Sequence, residues 1–264
     1  LNQQSVLPME VIVIDQTPKC DMVPIKPDRF PALYIKYLCL DNPGQCSARN
    51  KGIEKASGDY ILFCDDDNEL PKDFIEKHID NISSFKKAVS CGVSDEAGIE
   101  NLSYEYQHNK LSDIFSTNNS LVPIKLLSKT GLFDLAYDHG IRADRDLGIR
   151  LYLNGTLSYL EPSIRVYHHR ATTGGLRYFN QRKITYHASR NKLFTLKIPA
   201  VTEFYLSLRY HSSKQNREID WIAIFSTFSI SGGKIKTITR IIFATLMLPL
   251  IAYKIKKRRN SAKE

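Results

Sequence analysis

Three consecutive carboxylates, Asp65, Asp66 and Asp67, directly follow the apolar run Tyr60–Cys64. Such a cluster is electrostatically unfavourable unless a cation compensates it. In an extended segment alternate residues point the same way, so Asp65 and Asp67 should face one site and Asp66 the other side. A few hard oxygen ligands suit Mg²⁺ or Mn²⁺, with water and phosphate oxygens completing the shell. The triplet therefore predicts a metal site, although a solvated acidic turn has a similar composition.

A second pair of acids, Asp144 and Asp146, lies at the start of a helix predicted over Asp144–Asn154. A helix N-terminus favours the ionised form of a carboxylate, which is the form a general base requires. Asp144 could instead be a helix cap, a common structural role for aspartate. Asp146 competes with it for the catalytic role.

Two adjacent histidines, His168 and His169, follow an apolar run that reads as a strand. Neighbouring residues of a strand point to opposite faces, so only one of them can reach the metal. We favour His168, with a purely structural histidine as the alternative.

The predicted strands and helices that must position these residues alternate along the chain. Strands are predicted at Glu10–Asp15, Leu33–Leu38 and Tyr60–Cys64, with helices at Ser47–Ser57 and after Pro71. This order predicts an α/β fold with a mostly parallel sheet, whose ligands bind beyond the carboxyl ends of the strands. The remaining predicted elements are strands at Ala88–Val93, Ser120–Pro123, Leu157–Leu160 and Ile164–Tyr167, and helices at Ile124–Lys129 and Leu176–Leu196. The helix after Pro71 should bury Phe74, Ile75, His78, Ile79 and Ile82.

The formal net charge of +9 is compatible with nucleic acid, anionic lipid or nucleotide diphosphates as partners. Much of the excess lies at the C-terminus, in Lys254, Lys256, Lys257, Arg258, Arg259 and Lys263. No aromatic residues are interleaved there as stacking platforms, so we expect no nucleic-acid partner. The cysteines number 5, an odd count, and lack a C-x-x-C pair, which favours a reducing compartment.

The stretch Ile241–Tyr253 is nearly uniformly apolar but shorter than the ~20 residues that a membrane span needs. It predicts a re-entrant or interfacial helix whose basic flank meets anionic headgroups. The alternative is an ordinary core helix with a solvated basic tail. We expect peripheral or monotopic association with the cytoplasmic face of the cell membrane.

Three separated motifs resemble family 2 inverting glycosyltransferases. The stretch Ala48–Asp67 is similar to the donor site of that family, from Ala48-Arg49-Asn50 through Ala56-x-Gly58 to Asp65-x-Asp67. The stretch Gly140–Leu151 resembles the start of its Glu-Asp-x-Asp-Leu helix. The third motif is His168-His169-Arg170 followed by Gly174-Gly175-x-Arg177. The resemblance covers roughly residues 8–195.

The resemblance implies a single GT-A-type nucleotide-binding domain over residues 1–195 and a helical segment over residues 196–264. The implied reaction is an inverting, metal-dependent transfer of a sugar from a nucleotide diphosphate to a hydroxyl acceptor, in cell-surface glycan or glycolipid synthesis. The implied roles are donor binding for Asp15, Arg49, Asp65 and Asp66, binding of Mn²⁺ or Mg²⁺ for Asp67 and His168, and general base for Asp144. Residues with lesser implied roles are Asp146, His169, Arg177 and, for the acceptor, Asp138.

Some positions depart from the family pattern. Gln16 stands where many members have a second acid, and Ala143 replaces the usual glutamate before Asp144. We also expect the family's first strand to precede residue 1, so that the sequence is a fragment. A nucleotidyltransferase and a catalytically degenerate, membrane-associated protein remain as alternatives.

Overall fold

The computed structural model describes residues 1–18, 21, 23, 25–84, 88–96, 104–112, 115–169, 171, 179 and 192–264. The chain forms two compact units, one of Leu1–Asp138 with Ala143–Thr172 and one of His139–Arg142 with Thr173–Glu264. The described strands are β1 (Val11–Asp15), β2 (Ile35–Cys39), β3 (Tyr60–Phe63), β4 (Asn68–Glu69), β5 (Val89–Glu96), β6 (Lys110–Ser112), β7 (Ser120–Pro123) and β8 (Ser158–His168). The described helices are α1 (Gln45–Lys55), α2 (Phe74–Ser83), α3 (Ile124–Thr130), α4 (Ala143–Leu153), α5 (Val201–Tyr210), α6 (Ser213–Ser226), α7 (Lys234–Leu246) and α8 (Leu248–Ser261).

The first unit contains two sheets. Strands β1 and β2 pair in parallel, from Val11 opposite Ile35 to Asp15 opposite Cys39, and α1 packs on β1. The larger sheet has the order β3-β7-β5-β8-β4, with β6 also paired to β8. In it β5 and β8 are parallel and the other described pairs are antiparallel.

The α/β class is therefore confirmed, but the prediction of a mostly parallel sheet is wrong. Strand β7 returns antiparallel between β3 and β5. A short apolar run looks the same in sequence whichever direction its strand takes in the sheet, so periodicity could not reveal this reversal.

Strand β8 is a single strand of 11 residues where the sequence predicted two. Its register against β5 shifts between the pairs Cys91–Leu160 and Val93–Arg165. Pro162 lies in this irregular stretch, where its missing N–H costs no ladder hydrogen bond. The register shift accommodates the proline, and the strand continues to His168.

Helix α2 covers the larger sheet. Phe74, Ile75, His78 and Ile82 are buried as predicted, whereas Ile79 is exposed. Phe74 and Ile75 pack with Ile164 and Val166 of β8, so the helix supports the strand that ends at His168.

The second unit has its own core, in which Phe204, Ile251 and Ile255 are buried. Arg240 is 0% exposed and donates hydrogen bonds to the carbonyls of Thr227, Leu193 and Thr195. Burial lowers its pKa. A buried cation thus holds the chain on either side of α5 and α6 together.

Two predicted helices differ in the second unit. Of the helix expected over Leu176–Leu196, residues 192–196 are not helical, and most of the rest lies outside the described residues. The apolar stretch Ile241–Tyr253 is divided between α7 and α8, which are bent by 64° at Met247. Pro249 lies in the first turn of α8, where a missing N–H is tolerated.

Among the described residues, no individual helix has the length and apolar character of a membrane span; α7 and α8 reach them only when taken together as a bent pair. Part of the basic tail is also used internally. Arg258 donates to the carbonyls of Ile198 and Pro199, and Arg259 pairs with Asp220. These two arginines are thus engaged by the protein rather than left to meet headgroups.

Candidate active site

The acidic triplet lies where β3 ends and the two-residue strand β4 begins. Strand β4 pairs antiparallel with the end of β8, so that Asn68 lies opposite His168. This pairing brings the Nε2 atom of His168 to 3.1 Å from Oδ1 of Asp67. One ligand atom each from Asp65, Asp67 and His168 lie within 4.8 Å of one another. The three side chains form a candidate metal site.

Asp66 and His169, the sequence neighbours of these side chains, lie outside the candidate metal site. Asp66 is exposed and does not belong to this group. His169 is also exposed, with its Nε2 atom 3.3 Å from Oε2 of Glu69. His168 is the last residue of β8 and His169 follows it, so their side chains point to opposite sides. Asp66 and Asp67 lie in a turn between β3 and β4, so the separation of Asp66 from the group is a property of that turn rather than of an extended strand.

Asp67 is held by the segment that follows β8. Its Oδ2 atom accepts a hydrogen bond of 2.8 Å from the amide of Ala171, and its carbonyl accepts one of 2.9 Å from the amide of His169. The carboxylate therefore has a fixed orientation toward His168.

The three residues fit a divalent cation. His168 is only 6% exposed, and its Nδ1 atom has no hydrogen-bond partner among the residues that the structure describes. Such a buried polar atom is costly, and a water molecule would remove the cost. The other ring nitrogen, Nε2, faces Asp67 and is the one placed to bind an ion there. Two carboxylates and one imidazole form a mixed oxygen and nitrogen donor set that transition metals bind well.

Asp15 lies at the carboxyl end of β1. Its Oδ1 atom accepts a hydrogen bond of 2.7 Å from the amide of Thr17, and its Oδ2 atom accepts one from the hydroxyl of Tyr37. These bonds, that of Thr17 first, lower the pKa of Asp15, while the bond to Asp15 raises the pKa of Tyr37 to about 12. Asp15 is thus held as an ionised acceptor, and Tyr37 is a partner that sequence reasoning missed.

Gln16, which stands in place of the second acid, bonds to backbone. Its Nε2 atom donates to the carbonyls of Asn42 and Gly44, and its Oε1 atom accepts from the amide of Gly44. The residue therefore ties the end of β1 to the loop before α1.

Arg49 projects from α1 and is fixed by two contacts. Its guanidinium donates to Oε1 of Gln45 at 2.9 Å and lies over the ring of Phe133, 5.5 Å from its centroid. Phe133 in turn packs edge-on against Phe63, the last residue of β3. Arg49, the donor-binding residue predicted on α1, is thus connected through Phe133 to the strand that precedes the acidic triplet.

Asp138 caps α1, a role that sequence reasoning did not anticipate. Its Oδ1 atom accepts hydrogen bonds of 2.7 and 2.8 Å from the amides of Cys46 and Ser47. A Cβ atom on Gly44 would lie 2.2 Å from Oδ2 of Asp138, so only glycine allows this approach. Asp138 is thus engaged by the backbone of α1, and this geometry offers no support for the acceptor binding predicted for it.

The two acids of α4 have different surroundings. Asp144 is the second residue of the helix, is partly exposed, and lies outside the three-residue metal group. Asp146 is 0% exposed and pairs at 2.8 Å with Arg150, which also donates to the carbonyls of Thr130 and Leu132. Asp146 therefore supports the fold and cannot serve as the rival base. Arg177 lies outside the described residues.

An α/β unit with a candidate metal site of acidic residues at the ends of its strands is the architecture of GT-A glycosyltransferases. Comparison with solved structures agrees. Residues 1–349 of TarS from S. aureus align with a TM-score of 0.60 and 14% identity over 94% of this chain and 85% of that one. The mannosyltransferase PcManGT from Pyrobaculum calidifontis, in complex with GDP-Man and Mn²⁺, aligns with a TM-score of 0.54 and 13% identity over 99% of this chain and 79% of that one.

Residues 1–140 match the model of glycosyl transferase family 2, and the chain belongs to this family. Family membership favours the predicted glycosyltransferase over a nucleotidyltransferase, and it does not distinguish an active enzyme from a catalytically degenerate member. Hyaluronan synthase of Pasteurella multocida is 27% identical over 215 residues, which is 64% of this chain and only 22% of that enzyme. The matched stretch is thus a small part of that relative.

Proposed function

We propose that this enzyme transfers a sugar, with inversion, from a nucleoside diphosphate sugar to a hydroxyl acceptor and depends on Mn²⁺ or Mg²⁺. The observation that carries the proposal is the group formed by Asp65, Asp67 and His168. Support also comes from two related folds, since PcManGT is in complex with GDP-Man and Mn²⁺ and TarS with UDP-GlcNAc.

Asp65, Asp67 and His168 would hold the cation. When bound, it would supply positive charge that offsets the charge developing on the departing diphosphate. The imidazole favours Mn²⁺ over Mg²⁺, because Mg²⁺ prefers oxygen ligands alone.

The protein's own side chains would perform the other steps. Asp144, in the first turn of α4, would accept the proton of the attacking acceptor hydroxyl at its carboxylate. Asp15, kept ionised by Thr17 and Tyr37, would accept hydrogen bonds from the nucleoside. Asp65, Asp66 and Arg49 would contribute further donor contacts. Because inversion is a single displacement, no nucleophilic carboxylate is required.

The biological setting is proposed from the relatives and from the C-terminal segment. The name of one relative, hyaluronan synthase, refers to the synthesis of a polysaccharide. We propose that this protein acts in the synthesis of a cell-surface glycan or glycolipid. A lipid-linked or glycan acceptor at the cytoplasmic face of the cell membrane would agree with the basic, apolar C-terminal segment.

A donor screen tests the reaction. Purified enzyme would be incubated with a panel of UDP and GDP sugars and an acceptor mixture, with Mn²⁺, with Mg²⁺ or with a chelator. We expect turnover that needs the cation, and a loss of about 100-fold or more in Asp67→Asn. Asp80→Asn, on the exposed side of α2, is the matched control and should retain activity.

Two results would count against the proposal. Equal turnover with the chelator would remove the metal from the mechanism. A product that retains the anomeric configuration of the donor would rule out the single displacement while leaving the family assignment intact.

A further inference from the structure

Helix α7 presents an apolar stripe to solvent. Ile235 is 83% and Leu246 72% exposed, and Ile238 and Ile242 between them are also exposed. Their spacing of three, four and four residues puts them on one helix face. The opposite face holds the fully buried Arg240 and Ala244, so the helix is already anchored in the second unit by its other side.

The polar groups on this stripe are already satisfied. The hydroxyl of Thr239 donates to the carbonyl of Ile235 at 2.9 Å, and the hydroxyl of Thr245 donates to that of Ile241 at 2.9 Å. The stripe includes no charged residue. The face could therefore leave water without stranding a polar side chain.

Positive charge flanks the stripe in the sequence. Lys234 precedes it, and exposed lysines at positions 254, 256 and 257 follow the apolar start of α8. Residues 234–264 contain a single acidic side chain, that of Glu264. Arg240, Arg258 and Arg259 are engaged inside the unit, which leaves the lysines as the cations available to a partner.

We propose that this stripe of α7 docks on the surface of an anionic lipid bilayer, with the helix in the plane of the interface and the lysines at phosphate headgroups. Apolar area flanked by lysine is the composition of interfacial helices. A second copy of the chain is a poor occupant, because it would bring a matching excess of lysines to the same face. A spanning mode is disfavoured, because 13 residues of α7 reach only about 20 Å against the ~30 Å of the hydrocarbon core.

Vesicle flotation tests the proposal without any donor or acceptor, so its outcome is separate from that of the proposed reaction. The full chain would be mixed with phosphatidylcholine vesicles and with vesicles in which part of that lipid is replaced by phosphatidylglycerol. We expect binding to the anionic vesicles that weakens as salt is raised. Ile238→Asp with Ile242→Asp should lower the partition coefficient by about tenfold or more.

Matched variants control for folding and charge. Leu153→Asp changes an exposed leucine of α4 in the other unit and should leave binding unchanged. Lys254→Glu with Lys257→Glu should weaken binding, whereas Lys125→Glu with Lys129→Glu, on α3, should have little effect. Circular dichroism would verify that each variant is folded.

Three outcomes would overturn the proposal. The first is binding that the α7 variants do not reduce. The second is resistance of bound protein to alkaline carbonate extraction, which would indicate that α7 and α8 span the bilayer. The third is a concentration-dependent dimer that the α7 variants dissociate, with no vesicle binding, which would make the stripe a contact between copies.

Discussion

At the scale of single residues, identical side chains acquire different chemistry from their surroundings. Asp144 and Asp146 are two positions apart, but one is partly exposed in the first turn of α4 and the other is buried against Arg150. An aspartate buried against an arginine stabilises the fold, because removing the carboxylate would leave the charge of the arginine without its partner. Partial exposure in the first turn of α4 leaves the carboxylate of Asp144 accessible.

The pair Asp144→Asn and Asp146→Asn should therefore separate catalysis from stability. We expect Asp144→Asn to lower kcat by about 10²–10⁴-fold, with the donor KM and the free energy of unfolding nearly unchanged. Asp146→Asn should lower the free energy of unfolding by about 3 kcal/mol. Steady-state kinetics and urea unfolding measure both. The reverse pattern would exchange the two assignments.

Part of the candidate site was predictable at this scale. Strand alternation favoured His168 over His169. The grouping of Asp65 with Asp67 was also expected, but Asp66 and Asp67 lie in a turn, so the structure reaches it by a different geometry from the extended chain that the sequence argument assumed. It could not reveal Tyr37 or the capping role of Asp138, because those contacts join residues that are distant in sequence. For Tyr37 the available signal was a tyrosine near the carboxyl end of β2, on the strand next to Asp15.

At the scale of elements, the residue directly before α4 is strained. Arg142 has a φ of 85°, in the left-handed region that a residue with a side chain adopts at a cost. Its guanidinium bonds to Oε1 of Glu203, whose Oε2 accepts from the amide of Ala200 at the start of α5. The ion pair and the helix start thus hold the strained backbone in place.

Comparing Arg142→Ala with Arg142→Gly isolates that strain. Both lose the partly exposed ion pair, but only glycine adopts the left-handed conformation without steric cost. We expect the glycine variant to be more stable than the alanine variant by about 1 kcal/mol, as measured by urea unfolding. An alanine variant of equal or greater stability would show that the backbone relaxes.

The predicted strands and helices were wrong mainly where packing against neighbouring elements outweighed the local sequence signal. Separate strands were predicted at Leu157–Leu160 and Ile164–Tyr167, but the chain continues through a bulge against β5 as one strand. The uniform apolarity of Ile241–Tyr253 concealed a bend at Met247. By contrast, α2 was found by its periodicity, since four of the five predicted core residues are buried.

At the scale of the whole molecule, the interior of the first unit contains a polar network around His78. Its Nδ1 atom lies 2.8 Å from Oγ of Ser90, and its Nε2 atom lies 2.9 Å from Oδ1 of Asn119. Asn119 also donates to the carbonyls of Val93 and Ile164. One buried histidine thus joins α2, β5 and the residue before β7. Burial lowers its pKa from 6.5 to about 4.

The stability of the protein should therefore fall in mild acid. Between pH 6.5 and about 4 the unfolded chain binds a proton at this histidine that the folded protein does not bind, so unfolding is favoured as the pH decreases. We expect His78 to contribute up to about 1.4 kcal/mol per pH unit in this window. Urea unfolding as a function of pH should show a shallower slope for His78→Gln. His211→Gln, at an exposed position, should keep the original slope.

The capping of α1 by Asp138 has a consequence for exchanging parts between relatives. Gln45 donates to the carbonyl of Tyr137, and Asn50 bonds to both the amide and the carbonyl of Phe133. The helix that carries Arg49 and the loop over residues 133–138 are therefore fitted to each other. A chimera that takes one of these segments from a relative without the other would lose the hydrogen bonds between them. The two segments should therefore be exchanged together.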